Sequence, residues 1–78
     1  MHGIDAENAV AIALEEGGTG YIERHPDATR WFVQLGYNRI SEQNIVAWRV
    51  YFGVGGESAF EVFIDPLNGE VLDQRERP

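Results

Sequence analysis

The part of this 78-residue chain that looks most like chemistry is FEVFIDPLNGEVLDQ, residues 60–74. Asp65, Asn68 and Glu70 carry the side-chain oxygens that a hard cation such as calcium prefers. A calcium loop of the form D-x-[DN]-x-[DN]-G needs oxygen ligands at positions 1, 3 and 5 and a glycine at 6. Counted from Asp65, position 3 is Leu67 and position 5 is Gly69, so the ligand spacing fails. The same residues serve a tight hairpin well. Pro66 fits the second position of a type I turn, Asp65 can accept from turn amides, and Gly69 suits a left-handed residue closing the loop. Asp65, Pro66, Asn68 and Gly69 therefore read as a structural corner.

Other reactive residues fall away on similar grounds. His2 and His25 are the only histidines, and no HxxxH or HxH spacing gathers ligands for a metal. Cysteine and lysine are absent, which removes two of the usual nucleophiles; Ser41 and Ser58 lie in expected turns without a G-x-S-x-G context. Glu15 and Glu16 are neighbours, so on a helix they point to different sides. GVGG at 53–56 joins two expected strands with no helix or lysine behind it, unlike a phosphate loop. No catalytic residue, metal ligand or cofactor is assigned, and the chain is not read as an enzyme.

The net charge is −7, with all six basic residues arginine. Such an acidic surface repels phosphate, which argues against nucleic acid and anionic membrane as partners. No run approaches the roughly 18 apolar residues of a membrane span, and MHGIDAENAV lacks the basic start and apolar core of a signal peptide. Two placements follow: a cytosolic protein, or a domain cut from a longer exported or cell-envelope protein. The 44% hydrophobic content in 78 residues fits one small folded domain.

Elements must position whatever surface remains. Ala6, Ala9, Val10, Ala13 and Leu14 recur at helical spacing, with Asp5 at the N-cap, predicting a helix over about 6–16 that Gly17-Gly18 ends. Thr19 to Arg24 offers one further short turn pinned by Tyr21 and Ile22. Period-two alternation then predicts strands at about 29–40, 44–53, 58–65 and 70–73. Residues 26–36 stay open between strand and a second helix starting at Pro26, with β-branched and aromatic content favouring the strand. DQRERP reads as a solvated tail or linker. The expected fold is α+β, one helix packed on a three- to four-stranded antiparallel sheet in two layers. Its structural core comprises Val10, Leu14, Trp48, Val50, Val62, Ile64 and Val71.

One helix cannot cover both faces of a sheet. With Val46, Trp48, Val50, Phe52, Phe60, Val62 and Ile64 toward the helix, the opposite face carries Phe32, Ala47, Tyr51 and Phe63 among Arg30, Gln34, Arg49 and Glu61. Aromatic residues and arginine are enriched at protein interfaces. Phe32, Arg49, Tyr51, Glu61 and Phe63 are accordingly the expected partner surface, either for another protein or for a second copy of the chain.

Three stretches together resemble a PepSY-type domain: DAENAVAIALEEGG, the aromatic-x-Val strand AWRVYF, and the closing hairpin FEVFIDPLNGEVL. That resemblance implies a two-layer, cystatin-like shape and a non-catalytic module linked to inhibiting or chaperoning a peptidase. It transfers no functional residue set, since Trp48, Val50, Asp65, Gly69 and Val71 match as residues that build the fold.

Overall fold

The computed structural model describes residues 3–54 and 58–77. Helix α1 spans Ala6–Ala13 and starts in a capping box: Asp5 Oδ1 accepts from the Asn8 amide at 2.8 Å, and Asn8 Oδ1 accepts from the Asp5 amide at 3.3 Å. Such reciprocal capping satisfies two of the amides left free at a helix start. Ala9 and Ala13 are buried against the sheet, while Val10 and Leu14 flank them, half-buried.

The chain does not leave the helix at Gly17-Gly18. It widens into a π-type turn over Leu14–Gly18, kinks at Gly17 (φ 149°, ψ −12°), and re-enters helix as α2, Thr19–Arg24. Close packing explains the two glycines. A Cβ on Gly17 would lie 2.9 Å from Phe60 Cζ, and one on Gly18 would lie 2.8 Å from Phe52 Cε2. The glycines thus let the helical segment press onto sheet aromatics, and α2 delivers Tyr21 into the core. Tyr21 is fully buried, stacks on Phe60 at 5.9 Å, and shares a 2.7 Å hydrogen bond with the Ser58 hydroxyl.

Four strands follow: β1 Arg30–Ile40, β2 Gln43–Gly53, β3 Ala59–Ile64 and β4 Val71–Arg77. They pair antiparallel in the order β1-β2-β3-β4, leaving β1 and β4 as the edges. The sheet with its helix is the α+β architecture that the hydrophobic periodicity predicts. Residues 30–40 are strand, so the alternative of a second helix over 26–36 is corrected: three aromatics and a β-branched pair suit a pleated surface. The glycine-rich connection between β2 and β3 lies partly outside the described residues, as does His2.

Two further expectations need correction. Strand β4 runs to Arg77 and not to 73, so QRER, although solvent-exposed, is paired sheet and not a free tail or linker. Its register places Arg75 beside Glu61 and Glu76 beside Phe60, and Arg24 on α2 holds Glu76 through a 3.1 Å ion pair. Phe63 and Ala47, expected on an open face, are buried at 2% and 0% exposure. Strand twist causes this: the far end of the β1–β2 hairpin curls across the outer face and seats Ile40 and Ile45 against Phe63 and Leu72. Arg75 seals that second cluster, its guanidinium 4.6 Å above the Phe63 ring and donating to the Arg39 carbonyl.

Candidate interaction surface

The corner after β3 spends its oxygens on its own backbone. Asp65 Oδ1 accepts from the Leu67 amide and Asn68 Oδ1 from the Glu70 amide, both at 2.8 Å. The Gly69 amide donates to the Asp65 carbonyl at 2.9 Å, and Gly69 sits at φ 77°. Pro66 supplies the carbonyl that the Ile4 amide reaches at 2.8 Å, tying the start of the chain to the corner. Trp48 Nε1 donates to the Ile4 carbonyl at 3.2 Å, so the corner, α1 and β2 brace one another. Among the described residues no three His, Asp or Glu side chains gather as metal ligands.

Val50, Val62 and Ile64 are buried between sheet and helix, with Trp48 and Val71 half-buried at the margin of that core. On the outer face the expected surface residues separate into two groups. Phe32 and Tyr51 are cross-strand partners whose rings stack at 4.6 Å and 14°. The Arg49 guanidinium lies 4.9 Å from the Phe32 centroid and 5.6 Å from that of Tyr51, within cation–π range. Glu61 pairs with Arg49 through Nε and fixes the guanidinium plane. Gly53 gives Tyr51 its seat, since a Cβ there would overlap the ring. Phe32, Tyr51, Arg49 and Glu61 therefore form one platform, with Phe32 44% exposed. Phe63 belongs to the covered cluster and not to this platform.

Strand β1 adds apolar surface that the sequence reading did not assign to a site. Trp31, Leu35 and Tyr37 are 49%, 50% and 79% exposed on the helix side, although that face is nominally the buried one. The helical segment starts level with Trp48, which donates to the Ile4 carbonyl and pairs with Leu35. The eleven-residue β1, about 37 Å long, therefore extends past it and leaves Tyr37 uncovered, while Trp31 is exposed at the opposite end of the strand. That mismatch was available in the predicted element lengths.

A helical segment on a four-stranded antiparallel sheet, with an aromatic–arginine cluster on the outer face and an apolar edge strand, makes this a small two-layer α+β domain. Residues 3–75 match the family described as Peptidase propeptide and YPEB domain, PepSY, so the chain belongs to the PepSY family. No curated protein and no solved structure matches it.

Proposed function

We propose that this domain is a non-catalytic module that binds and regulates a peptidase, docking through the Phe32–Tyr51–Arg49 platform beside β1. Membership of a peptidase-propeptide family over nearly the whole chain carries this reading. The platform supports it physically. Two stacked rings and a half-buried arginine present flat apolar area with little side-chain freedom left to lose, the composition of interface hot spots. The ion pair to Glu61 holds Arg49 in place before a partner arrives.

The test is a titration of the domain into mature peptidases whose own propeptides carry a PepSY domain. Turnover should fall as the domain is added, and Phe32→Ser with Tyr51→Ser should weaken the effect at least tenfold while circular dichroism stays unchanged. Peptidase rates unaffected by a large excess of folded domain would refute the regulatory reading.

A further inference from the structure

The two edges of the sheet are built differently. Edge strand β4 carries Asp73, Arg75, Glu76 and Arg77, and charge of this kind blunts an edge against further pairing. Edge strand β1, RWFVQLGYNRI, has no acidic residue and no proline, and Trp31, Phe32, Leu35 and Tyr37 stand exposed along it. A long apolar edge is a template for another strand.

Its hydrogen-bonding phase follows from the hairpin tip. Ser41 and Glu42, at φ 52° and 64°, form a two-residue turn of the I′ kind between Ile40 and Gln43. The closing pair is hydrogen-bonded, and bonded pairs alternate along an antiparallel ladder. Even-numbered β1 residues therefore bond to β2, while the amides and carbonyls of Trp31, Val33, Leu35 and Tyr37 point out of the sheet. The Arg39 carbonyl, next in this series, is already taken by Arg75. The open edge is thus residues 30–38, centred on Gln34.

We infer that this edge pairs antiparallel with the same edge of a second copy of the chain, with Gln34 on the two-fold axis. The observations behind this inference do not rest on the peptidase reading, although Phe32 belongs to both surfaces. Among two-fold registers, this one uses the whole open edge. Trp31 falls opposite Tyr37 of the second copy, and Val33 opposite Leu35, on the helix side. On the outer side Phe32 falls opposite Gly36, where a Cβ would meet nothing within 4 Å. An aromatic ring across from a strand glycine fills just this kind of gap. Arg30 faces Asn38, so no like charges oppose each other at the seam. The four outward residues of each copy supply about eight main-chain hydrogen bonds, within the range of a typical specific interface.

Sedimentation velocity from about 1 μM to 1 mM, a span covering weak interfaces, tests the pairing. The mass should move from one chain to two. Because the seam has no ion pair and each copy carries a charge of −7, raising salt should strengthen the dimer. Leu35→Lys, at a half-exposed position, should give a folded monomer throughout. The chain has no cysteine, so Gln34→Cys should cross-link on mild oxidation, its counterpart lying across the axis at a disulfide-compatible spacing. Leu35→Cys, offset by two residues from its counterpart, should cross-link at least tenfold more slowly. A monomer at every concentration and salt would overturn the inference, as would a dimer that survives Leu35→Lys. Faster cross-linking at Leu35 than at Gln34 would overturn the register.

Discussion

Replacing Gly69 separates the corner reading of the β3–β4 turn from any ion-binding role. Gly69 adopts φ 77°, a region costing an L-residue about 1–2 kcal/mol. A Cβ there would lie 3.1 Å from Ile12 Cδ1 and 3.6 Å from Ile4 Cγ2. Alanine meets only the flexible end of Ile12, so Gly69→Ala should cost about 1 kcal/mol, nearly all conformational. Valine adds two γ-carbons in the same space and must displace Ile4 or Ile12. Overpacking of this sort adds about 1–3 kcal/mol, giving about 2–4 kcal/mol in total. Asparagine tolerates the left-handed region and should cost least. A domain this size has roughly 4–12 kcal/mol of stability, so Gly69→Val should melt far lower, by about 4–8 °C per kcal/mol. Urea unfolding at constant m reads the series directly. Calcium should leave the midpoint of the parent chain unchanged, since Asp65 and Asn68 already accept turn amides. Equal stability of the Val and Asn variants would refute the left-handed assignment, and a calcium-dependent rise would restore an ion site.

Phe63→Ser and Phe32→Ser should part company in the same assay. The first empties the Ile40–Ala47–Phe63 cluster and should cost about 3 kcal/mol or more, while the second, at an exposed ring, should cost under about 1 kcal/mol. Equal costs would mean that the hairpin does not curl over the outer face. Glu42→Gly relieves a non-glycine residue at φ 64° and should raise stability by roughly 0.5–1 kcal/mol in thermal unfolding; a loss would refute the two-residue I′ turn.

Local pattern carried much of the fold. Asp5 and the 6, 9, 10, 13, 14 spacing are enough to place α1, and alternation alone is enough to place β1 to β3. What escaped depends on contacts far apart in sequence. Gly17 and Gly18 look like a helix stop, yet they are small because Phe60 and Phe52 lie against them. QRER looks like a free tail, yet it pairs along β3, with Arg24 holding Glu76 and Arg75 reaching the Arg39 carbonyl. Phe63 alternates outward as expected, and the curl of the hairpin together with Arg75 of β4 buries it. The platform residues Phe32, Arg49, Tyr51 and Glu61 were legible from parity, because cross-strand neighbours on one face must meet.

Phe32 is common to the platform and to the seam, and this couples the two proposals. In the paired edge its ring lies over Gly36 of the second copy and is lost to any other protein. A peptidase that needs Phe32 then sees only the monomer fraction, and its apparent dissociation constant rises as the inverse of that fraction. Inhibition per molecule should therefore weaken as the domain becomes more concentrated, and high salt, which favours the acidic chain's self-pairing, should weaken it further. Leu35→Lys removes the competing dimer and leaves the stacked Phe32, Tyr51 and Arg49 in place. That variant should bind a peptidase at least as well as the parent chain at every concentration, an ordering that no simple loss of apolar surface would produce.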